Sequence, residues 1–173
     1  FINLKSYFKI SEQSNLFGWG FKKGKGSKLL NLPNGLKFVP LICYEAIFSN
    51  FLKPSVTDAD FILQITNDAW FGKSIGPQQH LAQLRIRAIE YGLPVIRVAN
   101  TGISAIIDAN GKLVEKLSVN KSGSLDSFVP SRKYNTIYGI YGNLIFLLLL
   151  ILAVLIAFLN KKFINQKNFK TDY

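Results

Sequence analysis

Among 173 residues there is one cysteine, one histidine and no methionine. The lone cysteine, Cys43, excludes an internal disulfide, so cysteine counting assigns no redox compartment. With His80 the only histidine, no cluster of three or four Cys and His ligands exists, and no metal is expected; His80 reads as a structural or hydrogen-bonding residue. Acid is scarce as well: 10 Asp and Glu face 21 Lys and Arg, for a formal charge of +11. Disorder is excluded, because 49% of the residues are hydrophobic and 14 are Phe, enough to build one domain with a core. Charge is missing altogether between Lys133 and Lys161, and Leu144 to Leu159 is an unbroken apolar run. As a helix, Ile137 to Leu159 rises about 35 Å, enough to cross a ~30 Å hydrocarbon core, so a transmembrane helix is predicted at 137–159.

Basic residues are plentiful and unevenly placed. Residues 1–37 carry Lys5, Lys9, Lys22, Lys23, Lys25, Lys28 and Lys37 against one acid, Glu12, interleaved with Phe1, Tyr7, Phe8, Phe17, Trp19 and Phe21. Rings at headgroup level and lysines near phosphates suit an anionic bilayer surface. The same mixture serves single-stranded nucleic acid in other proteins, and a plain Lys-rich loop is the bland alternative. The predicted span makes the lipid bilayer the expected partner, with no nucleic acid. Lys161, Lys162, Lys167 and Lys170 follow the span and Arg132 and Lys133 precede it, which places a basic tail, 160–173, in the cytoplasm and the preceding domain on the other side.

The rest of the chain alternates strand and helix signals. Residues 1–37 read as loop, punctuated by glycines and by the Pro33-Asn34-Gly35 turn. Leu36 to Cys43 is a strand whose mostly unalternated apolar character fits burial on both faces, with Pro40 the discordant residue. A short helix over Ala46 to Leu52 ends at Pro54. Phe61 to Thr66 is the next buried strand. Gly76-Pro77 opens a helix in which Leu81, Leu84, Ala88 and Tyr91 share one face, with Gln83, Arg87 and Glu90 elsewhere. Val95 to Val98 is a strand, and Ile103 to Ile107 pairs with Lys112 to Leu117 as a hairpin around Asp108-Ala109-Asn110-Gly111. A weaker strand is predicted near Gly123 to Val129.

One stretch carries chemistry. Val39-Pro40-Leu41-Ile42-Cys43-Tyr44-Glu45 brings the only thiol to a strand end beside a carboxylate. A buried cysteine serving as a small hydrophobe is one reading; a nucleophile activated by a neighbouring base or cation is the other. Downstream lie Gln64-Ile65-Thr66-Asn67-Asp68-Ala69-Trp70-Phe71-Gly72, then Gly76-Pro77-Gln78-Gln79-His80, then Arg97-Val98-Ala99-Asn100-Thr101-Gly102-Ile103-Ser104. Together with Ile42-Cys43-Tyr44-Glu45 these segments resemble the C-terminal half of the carbon-nitrogen hydrolase (nitrilase) superfamily, and within it the membrane branch, the apolipoprotein N-acyltransferases. The resemblance covers roughly residues 1–160 and is most specific between Pro40 and Asp108.

The resemblance implies an α+β fold: part of a nitrilase-like αββα sandwich over 1–130, followed by one C-terminal transmembrane helix. It implies that Cys43 attacks an acyl carbonyl, that the backbone N–H of Tyr44 is an oxyanion donor, and that Glu45 orients the site. By the same resemblance Asn67, Asp68, Trp70 and Phe71 line the acyl-binding loop. Arg97 and Asn100-Thr101-Gly102 match the family as scaffold behind the nucleophile. No cofactor is implied. The implied activity moves a fatty acyl chain from a phospholipid donor through a Cys43 thioester to the N-terminal amine of a diacylglyceryl apolipoprotein, at the bacterial inner membrane, with the catalytic domain facing the periplasm. The family's base glutamate and oxyanion lysine lie upstream of the cysteine. Phe1-Ile2-Asn3-Leu4-Lys5 is similar to the segment after the motif that follows that lysine, so the chain reads as a C-terminal fragment. Alternatives are a membrane-tethered nitrilase-type amidase, with water as acceptor, and a non-catalytic membrane-binding fragment.

Overall fold

The structure, a computed structural model, describes residues 26–53, 55–132 and 135–170, the side chains of 161–170 excepted. The basic and aromatic stretch read above, as far as Lys25, lies outside the described residues.

Six strands form one sheet in chain order: β1 (Leu30–Asn31), β2 (Lys37–Ile42), β3 (Phe61–Asn67), β4 (Val95–Asn100), β5 (Ser104–Ile107) and β6 (Leu113–Leu117). The three central strands, β2 to β4, run parallel, and β1, β5 and β6 are antiparallel to their neighbours. Parallel neighbours need crossovers. The first is a 3-10 helix (Cys43–Ile47) followed by α1 (Ser49–Leu52); the second is a 3-10 helix (Asp68–Phe71) followed by α2 (Gly76–Tyr91). Pro40 fits in β2 because β1 pairs only with Phe38 and Lys37, so the strand has a free side where a ladder donor is missing.

The core lies on the face of the sheet that α2 covers. Strand alternation sends Val39, Leu41, Ile62 and Val95 into it, and α2 adds Leu81, Leu84, Ala88 and Tyr91, the face its spacing predicts. Arg87 departs from expectation, since it is buried. It sits one turn from Leu84 and Tyr91, on the flank of the buried stripe, and its guanidinium donates to Glu90 at 2.9 Å. Burial raises the pKa of the Glu90 carboxyl above its usual range, with Arg87 opposing.

The other face of the sheet is apolar and partly open. In register across β2, β3 and β4, Ile42, Ile65 and Val98 form an exposed row at the strands' C-terminal ends. Among the described residues no second sheet covers it. The strand predicted over Gly123 to Val129 is absent; that segment has no regular structure.

The single helix predicted over 137–159 is divided. α3 (Ile137–Tyr141) is closed by Gly142, at φ 58°, whose N–H returns to the Tyr138 carbonyl at 2.6 Å, and α4 (Leu144–Lys170) begins beyond it. Among the described residues no helix is long and apolar enough to cross a membrane. The apolar run left in α4, Leu144 to Leu159, rises only about 24 Å, because the break removes the first turns from it.

Candidate active site

Parallel β2, β3 and β4 end at one edge of the sheet, and the residues just past those ends converge. Cys43 is the first residue beyond β2. It is half-buried and holds φ at 52°, the left-handed region that a non-glycine residue rarely occupies. Two contacts hold the chain in that turn. The Glu45 carboxylate accepts from the Ile42 N–H at 2.8 Å, and the Gln64 amide donates to the Cys43 carbonyl at 2.9 Å. Glu45 is therefore not on a strand face beside the thiol. It lies in the 3-10 helix, and its side chain folds back to cap that helix.

Behind Cys43 is a buried polar network contributed by β3, β4 and α2. The second hydrogen of the Gln64 amide points at His80 Nε2, 3.1 Å away, so Nε2 accepts and Nδ1–H donates to Asp68 Oδ1 at 3.0 Å. Thr66 donates to the same oxygen at 3.1 Å. Asp68 Oδ2 receives Arg97 at 2.5 Å, Arg97 also donates to Gln64 Oε1, and its Nε reaches the Ile103 carbonyl at 3.0 Å. Asp68 and Arg97 are each 1% exposed. Burial lowers the pKa of the Arg97 guanidinium, opposed first by the Asp68 carboxylate and then by Cys43. Gly102 is required here: a Cβ on it would lie 2.2 Å from Asp68 Oδ2.

The residues predicted to line the acyl site separate. Asp68 does not face substrate, because both its oxygens are engaged inside the protein. Asn67 is exposed, and its Oδ1 caps the 3-10 helix through the Ala69 N–H at 3.1 Å. Trp70 is 85% exposed. Phe71 turns inward, its ring 5.7 Å from that of His80, and Gly76 leaves room for it, since a Cβ there would meet the Phe71 ring at 2.4 Å. Tyr44, exposed, lies 6.1 Å from His80 ring to ring. Tyr44, Ile47, Phe71, Gln79, His80 and Gln83 wall an open cavity of about 490 Å³ beside the nucleophile turn. Among the described residues no three His, Cys, Asp or Glu side chains are grouped so as to hold a metal.

Gln64 and Thr66 are the residues that reading the sequence left aside. Their signal was present: both are polar and stand two apart, in step with Ile62, on an otherwise apolar strand. Buried polar residues are the informative exception to strand patterning.

Cys43 is thus held in a left-handed turn at the end of a central parallel strand, with its carbonyl pinned from behind by Gln64. The chain belongs to the carbon-nitrogen hydrolase family, whose sequence profile matches residues 7–129. Its curated relatives include proteins named apolipoprotein N-acyltransferase. That of Rhizobium rhizogenes is 42% identical over 169 residues, 97% of this chain and 32% of the relative; that of Rickettsia bellii is 43% identical over 150 residues, 86% and 30%. The likeness carried by the Cys43 motif and the blocks after it thus extends along nearly the whole chain, which spans about a third of the length of these relatives. Among solved structures, an amidase of the nitrilase superfamily from Nesterenkonia aligns at 18% identity and a TM-score of 0.48, covering 58% of this chain and 40% of that one, too distant a likeness to bear on function.

Proposed function

We propose that this chain is the nucleophile-bearing part of a bacterial apolipoprotein N-acyltransferase. The observation that carries the proposal is Cys43 itself: a lone thiol in a strained turn, its carbonyl held by Gln64, beside an open cavity with aromatic walls. Cys43 Sγ attacks the carbonyl carbon of a phospholipid acyl ester. The C–O bond breaks, the lysophospholipid alcohol leaves with a proton, and a thioester remains. The α-amine of a diacylglyceryl apolipoprotein then attacks the thioester, the C–S bond breaks, and the thiol is regenerated with a proton from the amine. The Tyr44 N–H serves as oxyanion donor, and Glu45 acts through the backbone by holding the turn. Phe71, with Trp70 and Asn67 at the rim, lines the acyl path. The general base and the oxyanion cation are assigned to none of the described residues.

The reaction takes place at the inner membrane, with the site on the periplasmic side. Supporting this are the side chains of α4 from Leu144 to Leu159, nearly all exposed and apolar on every face, and the lysines that follow them in the sequence, suited to a headgroup layer. The test is mass spectrometry of the complete protein after incubation with phospholipid. An acyl adduct on Cys43, discharged by a diacylglyceryl peptide amine, is expected. Discharge by water at the same rate would instead make the protein a hydrolase with water as acceptor, and an adduct on any other residue would remove Cys43 from its role.

A further inference from the structure

The segment after α1, the C-terminal end of α2 and α3 line a second cavity, of about 260 Å³. Its walls include Lys53, Tyr91, Arg132, Asn135, Thr136 and Ile140, and it shares no residue with the cavity beside the nucleophile. Most of its polar groups are occupied. Tyr91 donates to the Ser49 carbonyl at 2.5 Å and Thr136 to the Glu90 carbonyl. Arg132 is held rigidly by the Thr57 carbonyl, by the Ala59 carbonyl at 3.0 Å and by Asn135 Oδ1. All three acceptors are neutral, so they fix the guanidinium without cancelling its charge.

Among the described residues, two cations therefore face one cavity with no counter-anion. The ion pairs among the described residues are His80–Asp68, Arg87–Glu90 and Arg97–Asp68, and neither Lys53 nor Arg132 belongs to one. Among the described residues no Asp or Glu lines the cavity. Two like charges facing one cavity favour an anion between them. The position of the cavity identifies the kind of anion. Lys53 Nζ lies at the break between α3 and α4, 3.1 Å from where a Cβ on Gly142 would stand. From the cavity wall, an exposed apolar track runs through Ile140 and Tyr141 to Leu144 and onto α4. A charged pocket at the head of an apolar track fits an amphiphile: a phosphate headgroup in the pocket with acyl chains along the track.

We propose that this cavity is a structural binding site for an anionic glycerophospholipid, separate from the acyl-donor site, with the lipid phosphate between Lys53 and Arg132. The proposal rests on the reading of α4 as the membrane attachment. The test is native mass spectrometry of the complete protein in neutral detergent, offered equal amounts of phosphatidylglycerol and phosphatidylcholine, with the Cys43 adduct followed in the same samples. The parent protein is expected to retain phosphatidylglycerol selectively, and Lys53→Gln to lose about tenfold of that preference through one charge-assisted contact. Lys53 is exposed, so its substitution does not disturb the core. A Lys116→Gln control, on exposed β6, is expected to behave as the parent. Unchanged preference in Lys53→Gln overturns the site, as does an equal loss in Lys116→Gln. Displacement of phosphatidylglycerol by millimolar inorganic phosphate makes it a phosphate pocket and overturns the lipid assignment. Adduct formation on Cys43 without lipid preference removes this site and leaves the proposed reaction standing. Lipid preference without an adduct does the reverse.

Discussion

At the scale of the residue, the chemistry depends on how Cys43 is held. Replacing its thiol by a methyl group removes the nucleophile while leaving a small side chain that suits the turn. Cys43→Ala in the complete protein is therefore expected to abolish acyl transfer with expression and membrane insertion unchanged; retained turnover would sink the assignment. Gln64 is buried behind Cys43 and donates to its carbonyl at 2.9 Å, so in the proposed reaction it is a positioning residue. Gln64→Glu keeps an oxygen for Arg97 but places a carboxylate oxygen against that carbonyl. The expected outcome is a fall in kcat of about 10–100-fold with KM little changed, because a displaced nucleophile loses its attack geometry rather than its binding site. Steady-state kinetics separates the two, and a rise in KM alone would show that Gln64 acts on binding instead. His80 and Asp68 belong to the same unit, so their effects will not add to that of Gln64.

At the scale of the element, the buried Asp68–Arg97 pair, with His80, joins β3, β4 and α2 in addition to their apolar packing. Both side chains are buried, and removing one leaves the other charged and unpaired. Arg97→Leu is accordingly expected to destabilise the protein by about 3–5 kcal/mol, read by denaturant unfolding; a loss below about 1 kcal/mol would mean that water reaches Asp68 and takes the place of Arg97. Gly102→Ala tests the same spot from the backbone side. The added Cβ would meet Asp68 Oδ2 at 2.2 Å, and overpacking at such a site typically costs about 1–3 kcal/mol. Unaltered stability would show that the β4–β5 turn yields. Much of this level was readable in advance. The i, i+3, i+7 spacing in α2 reports directly which face is buried, whereas the unalternated apolar run of β2 read as buried on both faces and one face is partly open. The division of the C-terminal helix was not legible, because hydropathy averages over Gly142, while the left-handed turn there is set by one residue and by the carbonyl its N–H finds.

At the scale of the whole molecule, the edge of the sheet that carries Cys43 also carries the exposed row Ile42, Ile65 and Val98, so the site adjoins an apolar surface. If α4 is the membrane attachment proposed above, the lysines beyond Leu159, which outnumber the cations just before α3, predict a cytoplasmic tail. An Asp172→Cys substitution in a Cys43→Ala background tests this. An impermeant thiol reagent added to intact cells is expected to leave the new cysteine unmodified, and labelling from outside would reverse the orientation.

By itself the sequence determined where β2 to β6 and α2 lie, because burial of an apolar face imposes a period that side-chain types display; β1, the irregular 123–129 segment and the break at Gly142 it did not. It also determined the family and singled out Cys43, since a lone thiol at the end of an apolar run is a local feature. Only the tertiary structure decided what Asp68, Glu45 and His80 do. Asp68 stands in a loop motif that reads as substrate-facing, yet the parallel register of β3 and β4 brings Arg97, 29 residues away, onto its carboxylate, and the buried charge is satisfied inside. Glu45 is turned back on its own helix by the left-handed backbone at Cys43, a torsion no pattern of residue types records. Gln64 meets the Cys43 carbonyl because β2 and β3 end side by side. Contacts between residues far apart in the chain follow from strand register and crossover geometry, and those are settled only when the chain folds.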